Sequence, residues 1–298
     1  MPSLKSYLYR VGLHWMKARR QGEPFTLQEG RVWLEKAGKR FPPLANTQVN
    51  SIAAHGIPCE WVTTPASNDQ KILLFFHGGA YAAGSLFSHR GMVSRLAAAC
   101  RAKALSVDYR LAPEHPFPAG IDDAVTSYKW LLQQYEASQI ILAGDSAGGG
   151  LVLATLLKLK EDQIALPAAA VLICPWLDLN NNAASIEKIA PKDPVLYKAG
   201  LDRAAKMYAQ GQDLGNPYIS PLFGDLDGLP PLLVQVAAHD MISGDGIALA
   251  EKVKALGGAV QFENWKNMVH VWHFFGEKLP EAQKAIQQIG DFAQAIWR

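Results

Sequence analysis

Apolar residues along the chain follow two rhythms. Over residues 3–20 they recur at helical spacing, as Leu4, Leu8, Val11 and Trp15, while Arg10, Lys17, Arg19 and Arg20 fall elsewhere on the surface. This predicts a helix that packs its apolar face on a main domain. A helix lying on a membrane surface is the other reading of the same pattern. A second helix is expected over 26–39, and Pro42-Pro43 ends it.

From residue 47 the rhythm changes. Segments 47–54 and 58–64 read as two strands joined near Gly56. The short run Lys71-Ile72-Leu73-Leu74-Phe75-Phe76 reads as a strand buried on both faces. Helices at 88–101, 119–135 and after residue 146 then alternate with strands at 103–109, 139–143 and 168–174. Strand 231–238, helix 244–256, strand 259–265 and a helix near 280–297 complete the pattern. Such alternation predicts a mostly parallel sheet covered on both faces, with ligands held at the carboxyl ends of its strands.

Residues 178–229 break the alternation. They hold Asn180-Asn181-Asn182, four prolines (Pro191, Pro194, Pro217 and Pro221) and a helix near 196–209. An insertion above the sheet is expected, forming a lid together with residues 1–45.

The chemistry centres on Gly144-Asp145-Ser146-Ala147-Gly148, which follows the apolar Ile140-Ile141-Leu142-Ala143 and precedes a helical run. A turn this sharp strains the serine backbone and requires small residues on either side. Ser146 then projects above the sheet, with helical N–H groups aimed at the same place. His77-Gly78-Gly79-Ala80 follows the 71–76 strand. The amides of Gly78, Gly79 and Ala80, with that of Ala147, are candidates for holding an oxyanion. An ordinary glycine turn is the alternative reading of this loop.

Asp240 follows the 231–238 strand, where a carboxylate can reach an active-site histidine. Its rivals are Asp245, better placed to cap a helix, and Asp178, a candidate lid anchor. His270 follows the 259–265 strand and completes the order Ser, Asp, His; His273 is its nearest competitor. The His270-x-x-His273 pair lacks a third ligand in register, so neither a metal nor a cofactor is expected. Cys59, Cys100 and Cys174 lie outside glycine turns, and Cys174 reads as a buried apolar residue.

Composition narrows the class. The 298 residues suit one large domain or one with an insertion, and the 49% hydrophobic content supports a sizeable core. A net charge of +2 gives no reason to expect nucleic acid as a partner. Three cysteines do not form a disulfide framework, and neither a membrane span nor a secretory signal is apparent, which predicts a soluble cytoplasmic protein.

These residues together resemble the hormone-sensitive-lipase-like esterases (bacterial family IV) of the α/β-hydrolase fold. The resemblance covers residues ~70–275. His77-Gly78-Gly79-Ala80-Tyr81 is similar to the family's HGGG motif. The segment from Asp108 to Ala119 (DYRLAPEHPFPA) and GDSAGG also match in order. Asp240-Met241-Ile242 stands where the family has Asp-Pro-Leu, and His270-Val271-Trp272 where it has His-Gly-Phe. The resemblance implies a mostly parallel eight-stranded sheet flanked by helices with a helical cap. The hydrolase core would span 46–177 and 230–298, and the cap 1–45 and 178–229. It also implies Ser146 as nucleophile, His270 as base and acid, and Asp240 as its orienting partner. The oxyanion hole is expected to survive Ala80, provided no positive φ is needed there.

The expected reaction is carboxylic ester hydrolysis through an acyl-enzyme, with activity rising with pH through about 6.5, shifted by burial. Trp15, Trp176, Trp272, Phe87, Tyr197 and Tyr208 are candidates to line the pocket. Short acyl esters are expected, because no long exposed apolar face is apparent. A lactonase or amidase with the same triad is an alternative, as is a small-molecule receptor, which should have lost a catalytic residue. Strand 258–263 is a candidate sheet edge for a homodimer, unless the last helix covers it.

Overall fold

The computed structural model describes residues 2–21 and 23–298. Two helices, α1 (Leu4–Arg19) and α2 (Leu27–Arg40), precede the first strands β1 (Gln48–Ala54) and β2 (Ile57–Thr63). There follow β3 (Asn68–Phe76), α3 (Leu86–Cys100), β4 (Ala102–Val107), α4 (Ala119–Leu131), β5 (Ile140–Asp145), α5 (Ala147–Glu161) and β6 (Ala169–Ile173). After α6 (Ala184–Ile189) and α7 (Lys198–Ala209) come β7 (Leu232–His239), α8 (Ser243–Ala255), β8 (Val260–Val269) and α9 (Pro280–Ile296).

The strands form one eight-stranded sheet in the order β1-β2-β4-β3-β5-β6-β7-β8. The pairs β1/β2 and β2/β4 are antiparallel and all others parallel. The continuous apolar runs of the central strands follow from this arrangement. Leu74, Phe76, Leu142 and Leu172 face one core with α4, α5 and α8. Their neighbours Leu73, Phe75, Ile141 and Val171 face the other with α3 and α9. Alternate residues thus enter opposite cores, and both are apolar. This is the α/β-hydrolase architecture. Strand β8 is an edge strand, as expected.

Helix α1 departs from expectation. Its stripe points outward: Leu4 is 75% exposed, Leu8 64%, Val11 62% and Trp15 56%. The opposite face makes the contacts. Ser6 accepts a 2.7 Å hydrogen bond from Asn267, Arg10 meets His239 at 2.5 Å, and Tyr9 and Leu13 pack on the second core. Lys17 Nζ donates to the carbonyls of Asp193, at 2.7 Å, and Leu196. The mixed surface at the edge of the sheet offers polar partners that the apolar stripe could not have satisfied, so the helix turns its polar positions inward. The helix therefore packs on the domain, but by the other side, and the chain does have an exposed apolar face. No described helix is long and apolar enough to cross a membrane.

Candidate active site

Ser146 sits between the end of β5 and the start of α5, with φ 54° and ψ −121°. Non-glycine residues rarely adopt this conformation, and surrounding structure must enforce it. The Ser146 N–H donates to the Ile173 carbonyl at 2.8 Å, and its own carbonyl accepts from Gly150 and Trp176. The flanking glycines are sterically required. A Cβ on Gly144 would lie 2.3 Å from the Gly148 carbonyl oxygen, and one on Gly148 2.1 Å from that of Phe76.

The partners come from the adjacent strands β7 and β8. His239 pairs with Val269 in the sheet, so the next residues, Asp240 and His270, leave the strand ends side by side. Asp240 Oδ2 lies 2.8 Å from His270 Nδ1, and His270 Nε2 lies 2.9 Å from Ser146 Oγ. Asp240 is fully buried, and its Oδ1 accepts the Ile242 N–H at 3.1 Å. Burial alone would lower the His270 pKa. The charge and hydrogen bond of Asp240, with Asp193 and Asp145 further off, outweigh it and hold the pKa above its usual value. Charge, rather than burial, therefore sets the direction of the shift expected from sequence.

Opposite His270 lies the loop after β3. Asp145 Oδ1 accepts the Gly78 N–H at 2.9 Å, and His89 stands 3.6 Å from Asp145 Oδ2. Gly78 is thus already committed and is not free to serve as an oxyanion donor. The N–H groups of Gly79, Ala80 and Ala147 meet no protein acceptor among the described residues. Ala80 has φ 56°, so a positive φ is needed there after all; the alanine adopts this left-handed conformation, better suited to glycine, and its N–H still meets no protein acceptor among the described residues.

Other expectations divide. His273 is buried away from Ser146, bonded to Gln235 at 2.7 Å, with burial pushing its pKa down to about 3. Asp245 does not cap its own helix. Its Oδ2 accepts the N–H groups of Leu177 and Asp178, anchoring the loop after β6. Asp178 bonds within its own turn, to Asn180. Cys174 Sγ lies with the Asp240 and His270 ligand atoms in one cluster. Both ring nitrogens of His270 are engaged there, and burial keeps the thiol protonated.

Above Ser146 lies an apolar cavity of about 510 Å³, walled by α1, α2, α7 and the loops beside them. Trp15 and Tyr197 line it as expected, joined by Phe25, Trp33 and Phe274. Trp176, Trp272 and Tyr208 are buried in the cores instead, and Phe87 lies outside the cavity. A second cavity, of about 1030 Å³, meets the first at His270.

Sequence reasoning missed Asp193. It is 1% exposed; its Oδ1 accepts the Val195 and Leu196 N–H groups, and its Oδ2 that of Met241. Burial, then the charge of Asp240, raises its pKa to about 6. The signal was available in Asp193-Pro194, since an aspartate before proline commonly anchors a turn.

A strained serine on a strand–helix turn, hydrogen-bonded to a histidine and facing free backbone amides, defines a hydrolase-type site on an α/β sheet. Comparison with known proteins agrees. The α/β-hydrolase-fold family matches residues 73–274. An acetyl-hydrolase of Streptomyces hygroscopicus is 39% identical over 292 residues, covering 98% of this chain and 96% of that protein. The crystal structure of the esterase EstE5 soaked with p-nitrophenyl butyrate is 39% identical, with a TM-score of 0.94 over 99% of each chain. An esterase from the bacterial hormone-sensitive lipase family is 38% identical, with a TM-score of 0.94 over 100% of both chains. The chain belongs to the α/β-hydrolase family, within its bacterial hormone-sensitive lipase branch.

Proposed function

We propose that the protein hydrolyses carboxylic esters through an acyl-enzyme on Ser146. The supporting observation is the His270 ring, which reaches Asp240 with one nitrogen and Ser146 with the other. His270 takes the Ser146 proton as the hydroxyl attacks the ester carbonyl, which overcomes the poor nucleophilicity of a neutral serine. The amides of Gly79, Ala80 and Ala147 receive the tetrahedral oxyanion. Asp240 fixes the ring and stabilises its charged form. The imidazolium then protonates the leaving alkoxide, and water repeats the cycle to release the acid.

Short acyl groups are the favoured substrates in this reading. The relative called acetyl-hydrolase and the structure soaked with p-nitrophenyl butyrate support it. Residues 1–45 and 178–229 act as a cap over the strand ends. Three buried free cysteines support a cytoplasmic location, and the β8 edge is available for a homodimer.

Incubation with a serine-directed fluorophosphonate followed by intact mass tests the chemistry. One adduct is expected on the native chain and none on Ser146→Ala; an adduct that persists in the variant overturns the assignment. Four-carbon against sixteen-carbon acyl esters tests chain preference, and faster turnover of the longer ester reverses it.

A further inference from the structure

The two cavities that meet at His270 carry unequal chemistry. Ser146, Gly79 and Ala80 line only the smaller one. The larger has His270 in its wall without these residues. An ester carbonyl bonded to Ser146 sits in the smaller cavity, while His270 walls both and opens a path into the larger one. The leaving oxygen, which His270 must protonate, points its chain toward the larger one.

The larger cavity is apolar within and cationic at its mouth. Leu13, Met16 and Phe275 are among its walls, while its charged lining is Lys5, Lys36, Arg40 and Lys278, with no acid. Among the described residues none of these four cations pairs with a carboxylate. Arg40 and Lys278 converge on the Phe41 ring, 6.0 and 4.8 Å from its centroid, and Lys278 bonds the Arg40 carbonyl at 3.1 Å. The bias extends to both cavities. Of the 29 lysines and arginines in the chain, eight line them, against one of the 27 acids, Asp145. Asp145 is buried beneath the loop after β3 and bonded to Gly78. Of the eight, Arg20 pairs with Glu29 and Lys17 faces Asp193, so in a chain with a net charge of only +2 the excess that raises the encounter rate of anions lies with the cations of the larger cavity.

We propose that the site is built for esters whose alcohol part carries a negative charge at the end of an apolar chain. The chain lies along the larger cavity and the anion rests at the mouth, near Arg40 and Lys278. This rests on the ester-hydrolase reading above and adds the charge of the leaving alcohol. A free carboxylate and a phosphate monoester share the required chemistry.

The test compares 8-acetoxyoctanoate with methyl 8-acetoxyoctanoate, following acetate release. The two share the acetyl group and the alkyl chain of the alcohol, and initial rates of acetate release are compared, before cleavage of the methyl ester can convert one into the other. The anion is expected to show a kcat/KM about fivefold higher at about 20 mM salt, collapsing toward unity at about 500 mM. Arg40→Gln/Lys278→Gln should bring the ratio toward unity at low salt, while Lys254→Gln, outside both cavities, should not. 8-Acetoxyoctyl phosphate in place of the carboxylate distinguishes the two anions, and the better substrate shows which headgroup the mouth prefers. An anion used no better than its methyl ester, or an advantage insensitive to salt, overturns the proposal. Failure to release acetate from either ester or from 4-nitrophenyl acetate overturns the hydrolase reading, and this proposal with it.

Discussion

Asp193 holds the residue after Asp240 in place: its Oδ2 accepts the Met241 N–H at 2.8 Å. Its other oxygen holds Val195 and Leu196, so both oxygens are used. Asparagine offers one acceptor oxygen and would leave a buried N–H unmet, at a cost of about 1–3 kcal/mol. Asp193→Asn is expected to reduce kcat about tenfold or more. Charges facing Asp193 include Asp240, Lys17 and His270, and Asp145 also faces His270. Because the Asp193 charge helps raise the His270 pKa, the acid limb of the variant's pH–rate profile should move to lower pH. A lower kcat with the limb unmoved would reduce Asp193 to a packing role.

In the native chain the limb should lie on the alkaline side of the ordinary histidine value. His270 must be neutral to accept the serine proton, and its pKa is raised. Activity on 4-nitrophenyl acetate should rise with pH through a midpoint above about 6.5. A midpoint below that value contradicts the role given to Asp240.

Asp245 carries the opposite lesson. It is 2% exposed, and burial raises its pKa to about 7. A carboxyl that binds its proton more tightly when folded favours the native state most below about pH 4, the unfolded value, and loses that contribution as pH rises through about 7. Both of its backbone bonds use one oxygen, Oδ2, which an asparagine oxygen can replace. Asp245→Asn should therefore raise the melting temperature at pH 8 by a few degrees. It should also flatten the dependence of stability on pH between about 4 and 7. Melting curves at pH 4, 6 and 8 check this; a lower melting temperature at pH 8 contradicts it.

The two glycine-rich turns should respond in opposite ways. Ala80→Gly relieves a positive φ and should gain about 1 kcal/mol in denaturant unfolding, with activity retained. Gly148→Ala forces a methyl against the Phe76 carbonyl and should cost about 3 kcal/mol or more, with turnover lost. A stable, active Gly148→Ala would mean that the turn has more room than its geometry indicates.

The sheet was legible because its central strands are apolar on both faces, as in Ile72-Leu73-Leu74-Phe75-Phe76. The serine turn was legible because steric need shows directly as glycine, and the candidates after the last two strands line up with it: Asp240 meets His270, and His270 meets Ser146. What escaped depends on contacts distant in sequence. The inward face of α1 is chosen by Asn267, His239 and Asp193, far along the chain. Trp176 and Trp272 are large and apolar wherever they sit, and composition does not distinguish a core from a pocket. The Gly78 amide is taken by Asp145, a residue 67 positions away that reads as part of the serine turn.

Lys17 adds a consequence of its own. One ammonium on α1 grips the carbonyls of Asp193 and Leu196, and the Asp193 carboxylate grips the segment after Asp240. Seating the helix and ordering the proton relay are thus linked equilibria. Whatever ligand favours the seated helix must be bound more tightly by the ordered relay, to the same degree that it orders it. Substrate held against α1 would then help assemble the machinery that consumes it, and an empty site would be the less reactive one.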